Sequence, residues 1–213
     1  AGVGFLRTLG PAPRDAEADF RREARNLGYE VTGGIGEFLA GVDADTPAGM
    51  AVMREAQKLL RGSGYVDLRE KQPEVHAGIG GYYSHVTAPL RRLVDRYATE
   101  VCLAICGGYG IPAWVYNDAP EVMATMARTS QLANTVDRAA LNLTEATVLE
   151  PWVGHNFGGI VLKRGEDRDR IFVTQPPVLA PSIGAPSEGT EAMFSLIRAE
   201  PAARQVEFAW PAD

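Results

Sequence analysis

Near the middle of the chain, a short segment combines two rings, a hydroxyl group and two guanidinium groups. Its chemically active members are Tyr83, His85, Thr87, Pro89, Arg91 and Arg92. Proline fits the first turn of an α-helix, where backbone N–H groups lack partners and favour an anion. Guanidinium groups beside such donors bind phosphate oxygens in a two-pronged geometry. The segment therefore predicts an anion site, and a phosphate is its natural ligand.

A simpler interpretation of this segment is a solvated basic turn whose arginines are neutralised locally. Asp95 and Glu100 follow at helical spacing, so Arg92 or Arg96 can pair with either carboxylate. Spacing alone leaves both interpretations open.

Other familiar kinds of site are not supported by residue spacing. No histidine among His76, His85 and His155 stands at metal-ligand spacing from another histidine or a cysteine. The glycine-rich stretches 33–36 and 78–81 lack the Lys-Ser/Thr of a P-loop and a full dinucleotide fingerprint. We therefore predict no zinc site and no nucleotide site of these kinds.

Most of the first 147 residues are predicted to be helical, and these helices position the central segment. Hydrophobic periodicity predicts helices over residues 13–28, 46–60, 90–105 and 121–147. The glycine-rich residues 76–83 are consistent with a strand or with a backbone that another group approaches closely. Cys102 and Cys106, the two cysteines of the chain, fall on one face of the third helix and are predicted to be buried free thiols. The last helix carries a stripe predicted to be buried against other helices, made of Val122, Met126, Thr129, Ala133, Val136, Ala140 and Leu143.

After residue 147 the pattern becomes that of a small β-domain. Short β-type runs at 153–162, 170–174, 192–198 and 205–209 are separated by turns, and four prolines crowd the connection from 176 to 186. About 60 residues in roughly five strands is the size of an OB-fold barrel.

Composition places the chain among ordinary globular proteins. It has 213 residues, 46% of them hydrophobic and 23% charged, with a formal net charge of -6. No apolar run is long enough to span a membrane, and no signal peptide is recognisable, so a cytoplasmic protein without membrane contact is expected. The acidic balance still permits a local basic groove. Because the chain opens at Ala1 with sequence typical of the middle of a domain, we interpret it as a fragment.

The central segment resembles a known family signature. The run Tyr83-x-His85-x-Thr87-x-Pro89-x-Arg91-Arg92-x-x-Asp95 is similar to the signature of the RNB domain of the ribonuclease II family. Two further stretches support the resemblance: Val136-Asp-Arg-Ala139 is similar to an Ala-Glu-Arg segment of the family, and Val153 to Ile160 to the opening of its C-terminal RNA-binding OB-fold. Three residues depart from the family pattern, namely Ala88, Leu93 and Asp137.

The resemblance implies an α+β chain: residues 1–147 are the helix-rich C-terminal part of an RNB catalytic domain, and residues 148–213 a five-stranded OB-fold barrel. It implies part of an exoribonuclease that hydrolyses single-stranded RNA from 3′ to 5′ to nucleoside 5′-monophosphates.

By resemblance, Arg91 is the catalytic arginine that contacts the scissile phosphate. The residues implied to bind RNA are Tyr83, His85, Thr87, Arg92, Asp137, Phe157 and Phe172. Three alternatives stay open. Tyr83 is equally well explained by core packing and Asp137 by a surface charge beside Arg138, and an inward core role is favoured for the two phenylalanines.

The family binds Mg²⁺ through a cluster of aspartates, and no similar segment occurs in this sequence. The resemblance thus implies that the metal ligands lie in an N-terminal half of the domain outside these 213 residues, and that this half is a partner of the chain. Without that half, we expect the chain to be inactive. The alternatives are a non-catalytic RNA-binding or assembly module and a scaffold with no role in nucleic-acid binding.

Overall fold

The computed structural model describes residues 3–60, 62–70, 72 and 74–212. Its helices are α1 (Arg14–Asn26), α2 (Ile35–Ala40), α3 (Pro47–Ala56), α4 (Leu93–Gly107), α5 (Ala113–Asn117) and α6 (Ala119–Leu149). Its strands are β1 (Phe5–Thr8), β2 (Gly64–Asp67), β3 (Asn156–Lys163), β4 (Asp169–Thr174), β5 (Pro177–Ile183), β6 (Glu191–Glu200) and β7 (Gln205–Ala209). Short 3₁₀ turns cover Gln57–Leu60 and Glu150–Trp152. The predicted α+β class is confirmed.

The chain divides into two compact units. Unit 1 comprises residues 1–11 and 60–135, and unit 2 comprises residues 12–59 and 136–213. None of the described helices is long and apolar enough to cross a membrane.

Unit 1 is a helical core with a small antiparallel sheet. Strands β1 and β2 pair so that Arg7 lies directly opposite Tyr65. The core brings together the single buried ring of β1 and the apolar faces of three helices: Phe5, Val94, Val101, Val115, Val122 and Met126. Helix α4 ends at Gly108, which adopts a left-handed conformation with φ of 67° that favours glycine.

Unit 2 contains a closed five-stranded barrel with the strand order β3-β4-β5-β7-β6. All its pairs are antiparallel except β5 with β7. Alternate residues of the strands point inward and form the barrel core, including Val161, Ile171, Val173, Phe194, Leu196 and Phe208.

Helices α1 and α3 cover part of the outer surface of this barrel. Phe20 of α1 and Val52 of α3 belong to the same core as Ile160, Leu162 and Phe172, which point outward from the strands. Thr46 caps α3, because its hydroxyl oxygen accepts a hydrogen bond from the Gly49 N–H at 3.1 Å, and Pro47 follows at the first helical position. The helices of residues 12–59 and the barrel therefore share one hydrophobic core.

Four charged side chains meet where these helices face strand β4. Glu23 and Glu55 are 2% and 1% exposed. The Arg170 guanidinium donates to both carboxylates, with 2.9 Å from Nη1 to Glu55 Oε2 and 3.2 Å to Glu23 Oε2. The Lys58 ammonium lies 3.0 Å from Glu23 Oε2 and also pairs with Glu55. Each buried carboxylate thus has two cationic partners.

The two carboxyl groups titrate as one coupled pair. Burial, together with the hydrogen bond and the negative charge of Glu55, raises the pKa of Glu23 to about 7. Burial alone would also raise the pKa of Glu55, but hydrogen bonds from Glu23, Arg170 and Lys58 lower it to about 2. Near neutral pH, Glu23 is therefore the group that takes up a proton.

Several predicted elements differ from the structure. Residues 177–183, predicted as a proline-rich connection, form β5. Proline is tolerated on an unpaired strand edge, and β5 pairs with β7 only at Ser182 and Ile183. Residues 76–83, for which a strand was one of two interpretations, form a turn with isolated bridges from His76 to Gly81 and from Arg7 to Tyr83.

The stripe along α6 is buried only at its beginning. Val122 and Met126 lie in the core of unit 1, whereas Val136 is 57% exposed and Leu143 is 42% exposed. The prediction of a continuous buried stripe was wrong for residues 129–143, where all five stripe residues are exposed. The prediction of buried thiols was also wrong, since Cys102 and Cys106 are both exposed.

Candidate nucleic-acid interface

The rings of Tyr65 and His76 in unit 1 contact the pair formed by His85 and Tyr83. The His85 ring meets the Tyr83 ring edge to face at 5.1 Å and the Tyr65 ring at 5.6 Å between centroids. The His76 ring contacts the other side of Tyr83 at 5.8 Å. Tyr83 and His85, both predicted to bind RNA, thus belong to a row of four rings in contact, in the order His76, Tyr83, His85 and Tyr65.

Arg7 adds a positive charge to this group of rings. Its guanidinium carbon lies 4.9 Å from the centre of the Tyr65 ring, at the distance of a cation–π interaction. Strand pairing places Arg7 opposite Tyr65, and the Arg7 N–H donates to the Tyr83 carbonyl at 2.7 Å. Sequence reasoning missed Arg7 and Tyr65, because they are far from the central segment in sequence and only the β1–β2 pairing brings them to it.

The Tyr65 hydroxyl lies 2.7 Å from Nδ1 of His85, which is a short hydrogen bond. Burial raises the pKa of Tyr65. Burial and the positive charges of Arg92, Arg7 and Arg91 lower the pKa of His85, although Asp95 opposes them. At neutral pH the phenol is therefore protonated and the imidazole is neutral.

Arg92 is bound by a carboxylate of its own chain. Asp95 is 0% exposed, and it accepts hydrogen bonds from Arg92 Nε at 3.0 Å and Nη2 at 2.9 Å and from the Ala88 N–H at 2.7 Å. Burial alone would raise the pKa of Asp95, but these donors lower it below its ordinary value. Arg92 Nη2 also lies 3.4 Å from the hydroxyl of Thr87.

The start of helix α4 differs from its prediction. We predicted Pro89 in the first turn with both arginines inside the helix, but α4 begins at Leu93 and Arg92 is its N-cap residue. Residues 88–91 form a separate turn, in which the Arg91 and Arg92 N–H groups donate to the Ala88 carbonyl. Asp95 accounts for the difference, because its carboxylate binds both the turn and Arg92 from inside the helix.

Arg91, unlike Arg92, is not bound by a carboxylate of the described chain. Its side chain is exposed, and within the part of the chain that the structure describes it makes no hydrogen bond or ion pair. Its charge nevertheless contributes to lowering the pKa of His85. The geometry therefore leaves the Arg91 guanidinium available to an external anion.

The other predicted RNA-binding residues lie in unit 2. Asp137 is an exposed residue of α6. Phe157 is partly buried and meets Phe208 edge to face at 5.8 Å. Phe172 is 2% exposed in the core shared with α1 and α3, so its side chain is not accessible to a base. For Phe172 the structure favours the core role over the base-stacking role.

A shallow cleft of about 420 Å³ lies on the barrel surface at strands β3, β4 and β6. Two glycines, three apolar side chains, one hydroxyl and one carboxylate line it: Gly158, Gly159, Ile160, Ala192, Met193, Thr174 and Glu191. Gly159 has no room for a side chain, because a Cβ there would lie 2.9 Å from the Phe172 carbonyl oxygen. The glycines leave the strand backbone exposed to whatever enters the cleft.

The described residues offer no ligand set for a metal ion. Nowhere among them do three or more His, Cys, Asp or Glu side chains converge closely enough to hold one. The residues present therefore do not fit Mg²⁺, and no step is assigned to a metal on these side chains.

The barrel matches a known family model. Residues 155–210 match the RNase II-type exonuclease C-terminal S1 domain. The predicted resemblance to the ribonuclease II family is confirmed. The matched residues coincide with the five-stranded barrel of unit 2.

Solved structures of the ribonuclease II type share the fold of nearly the whole chain. Mycoplasma genitalium RNase R matches with a TM-score of 0.73, both in its apo form at 12% identity and in complex with ribose-methylated single-stranded RNA at 11% identity. These matches cover 97% of this chain and 37% of RNase R. Comparison with the curated proteins finds no match.

Two fungal structures show the same fold, one in an exoribonuclease and one in a pseudonuclease. An active-site mutant of the Dss1 exoribonuclease from Candida glabrata matches with a TM-score of 0.65 and 14% identity over 97% of this chain and 25% of Dss1. Yeast Ssd1, a pseudonuclease, matches with a TM-score of 0.64 and 15% identity over 97% of this chain and 26% of Ssd1. The chain therefore spans less than two fifths of each of these relatives, and the shared fold occurs in a nuclease and in a pseudonuclease.

Proposed function

We propose that this chain is the RNA-binding C-terminal part of a 3′-to-5′ exoribonuclease that hydrolyses single-stranded RNA to nucleoside 5′-monophosphates. The observation that carries the proposal is the match of residues 155–210 to the S1 domain of RNase II-type exonucleases. In this proposal, residues 1–147 belong to the catalytic domain and residues 148–213 to the RNA-binding barrel.

Arg91 supplies the contact with the scissile phosphate. An exposed guanidinium that has no partner among the described residues can bind two phosphate oxygens, and it strengthens that contact as negative charge develops during hydrolysis. Tyr83 and His85, which belong to the same sequence segment, contact the 3′-terminal nucleotides, and Asp137 accepts a hydrogen bond from a sugar hydroxyl. Because Arg92 is bound by Asp95, its contribution to RNA binding is smaller and its main role is to fix the turn that carries Arg91.

The barrel binds nucleotides that are distant from the scissile phosphate. Phe157 and the glycine-lined cleft of strands β3, β4 and β6 form the surface that holds a flexible single strand, since stacking and backbone contacts tolerate any base sequence. Phe172 is not part of this surface, because α1 and α3 cover its side chain.

A second polypeptide segment completes the enzyme. The relatives extend well beyond the region that this chain matches, and the apolar side chains of α6 between residues 132 and 143 are exposed to solvent. We propose that the N-terminal half of the RNB domain packs on this part of α6 and contributes the carboxylates that bind Mg²⁺. That metal, if present in the intact enzyme, would supply Lewis-acid activation of water. A cytoplasmic location belongs to the same proposal.

A non-catalytic RNA-binding or assembly module is the second candidate. The described residues include no cluster of metal-binding side chains, and the fold is shared with a pseudonuclease. The two candidates agree on RNA binding and differ on hydrolysis.

Binding and mononucleotide release measured side by side test the proposal. The 213-residue chain should bind a single-stranded RNA 20-mer with an affinity that falls as salt rises, and release no mononucleotide in Mg²⁺. A chain that also carries the aspartate-containing half should release 5′-monophosphates. RNA binding without release in that longer chain would favour the non-catalytic module, and absence of salt-sensitive RNA binding would contradict both candidates.

A further inference from the structure

His85 is held on both sides and at one ring nitrogen. The Tyr83 and Tyr65 rings contact its imidazole edge to face, and the Tyr65 oxygen lies 2.7 Å from Nδ1. Within the described chain, the other ring nitrogen, Nε2, makes no hydrogen bond. One nitrogen is thus engaged by the protein and the other is left for a ligand.

The hydrogen bond between Tyr65 and His85 joins two groups that are both uncharged at neutral pH. Burial keeps the phenol protonated, and it keeps the imidazole neutral with the help of the charges on Arg92, Arg7 and Arg91. Asp95 is the one carboxylate among the charged groups that act on His85, and the Arg92 guanidinium binds it. A protonated phenol can donate to Nδ1, and the ring hydrogen of a neutral imidazole then lies on Nε2; donation from Nδ1–H to the phenol oxygen is the alternative tautomer.

We propose that Tyr65 is a positioning residue of the RNA site: its hydroxyl donates to Nδ1 of His85 and so fixes the tautomer whose Nε2–H donates to an oxygen of the RNA backbone. This inference rests on the proposed function for the identity of the ligand. The tautomer, in contrast, is a property of the free protein.

A neutral hydrogen-bond donor is suited to an RNA strand that must move through the site. Arg91 already offers a permanent positive charge in the same segment. A neutral N–H orients the RNA but binds its phosphate less strongly than a second cation would. The reason is that hydrogen bonds between charged groups are stronger than those with a neutral donor. Without the Tyr65 donor, both tautomers of a neutral His85 become accessible, and only one of them presents the N–H.

Nitrogen-15 NMR of the histidine rings tests the tautomer in the complete 213-residue chain. Long-range proton–nitrogen spectra at pH 7 should show His85 with the hydrogen on Nε2, with the signals assigned by their loss in His85→Gln. Tyr65→Phe should give a mixture of tautomers and a His85 pKa closer to its ordinary value. Tyr97→Phe is the matched control, because it removes a hydroxyl whose partner is Asp118, at 3.0 Å, and should leave the His85 signals unchanged.

Binding of a single-stranded RNA 20-mer tests the consequence. Tyr65→Phe and His85→Gln should each weaken binding by roughly fivefold, the effect of one hydrogen bond, while Tyr97→Phe should not. The double variant should bind no more weakly than His85→Gln alone, because Tyr65 acts through His85.

The outcomes separate this inference from the proposed function. A His85 ring with its hydrogen on Nδ1, or one whose tautomer is unaffected by Tyr65→Phe, overturns the positioning role whatever the RNA result. The correct tautomer with unchanged RNA affinity in Tyr65→Phe also overturns that role. Absence of RNA binding by the unsubstituted chain overturns the proposed function.

Discussion

Arg92 and Asp95 form a two-point ion pair, with Arg92 Nε 3.0 Å from Oδ1 and Nη2 2.9 Å from Oδ2 of a carboxylate that has no exposed surface. The same carboxylate accepts the Ala88 N–H, so it connects helix α4 to the turn that precedes it. Two arginines adjacent in sequence therefore have different environments: Arg92 is bound within the protein, and Arg91 is exposed. The predictions for the two residues differ accordingly.

Arg92→Ala should lower the free energy of unfolding by about 3 kcal/mol at pH 7, because it leaves the buried Asp95 carboxylate without its counter-charge. Urea denaturation followed by circular dichroism measures this change, and Arg96→Ala, which removes an exposed arginine of the same helix, is the control.

The pH dependence of this effect has a defined sign. The folded-state pKa of Asp95 is lowered, so the pair stabilises the fold above the ordinary value of 3.8 and loses its effect as pH falls through the folded-state value. The difference between Arg92→Ala and the unsubstituted chain should therefore shrink below about pH 4. A constant difference across this range would contradict the assignment.

Arg91→Ala should leave stability unchanged, because the side chain has no described partner. It should weaken binding of single-stranded RNA and reduce the slope of log affinity against log salt by about 1, as expected for the loss of one phosphate contact. In a catalytically complete chain, the single-turnover rate should fall by roughly 10² or more. Arg91→Lys should recover only part of that rate, since it keeps the charge and loses the planar geometry. A normal rate in Arg91→Ala would remove the catalytic assignment.

Phe172→Ala should destabilise the protein by about 3 to 5 kcal/mol, because the ring is buried between the barrel and helices α1 and α3. RNA affinity, measured under conditions where the variant is folded, should not change. Phe157→Ala is the comparison: its ring is only partly buried, so a smaller loss of stability and weaker RNA binding are expected. A Phe172→Ala protein with full stability and weakened RNA binding would restore the base-stacking role.

Glu23→Gln should stabilise the protein at high pH. The folded-state pKa of Glu23 is raised to about 7 from an ordinary value of 4.5, so its contribution is fully present below 4.5 and is lost as pH rises through 7. The glutamine keeps the neutral form at every pH, and the variant should be more stable than the unsubstituted chain by about 3 kcal/mol at pH 8.

Near pH 4.5 the two proteins should have similar stability. Glu55→Gln is the contrasting variant, because Arg170 and Lys58 both bind the Glu55 carboxylate and its loss should destabilise the protein at pH 8. Urea denaturation at pH 4.5 and 8 distinguishes these outcomes, and equal destabilisation by Glu23→Gln at both values would exclude the raised pKa.

The sequence determined those features that depend on neighbours along the chain. Thr46 and Pro47 start α3 because a capping hydroxyl and a proline act on the first helical turn, and hydrophobic spacing located α1, α4 and α6 to within a few residues of their observed bounds. The alternation of apolar residues after residue 153 was sufficient to predict a small barrel. The central motif, read as a contiguous string, was sufficient to indicate the ribonuclease II family, and the match of the barrel confirms it.

Tertiary structure alone decided which of these residues are free to act. Arg91 and Arg92 are indistinguishable by spacing, and their roles separate only because the buried Asp95 faces one of them. Arg7 and Tyr65 join the site through strand pairing, which connects residues distant in sequence. Phe172 alternates like any strand residue, and its outward side is buried only because α1 and α3 cover it. Burial and charge pairing are set by contacts between distant segments, and a linear pattern does not record which segments meet.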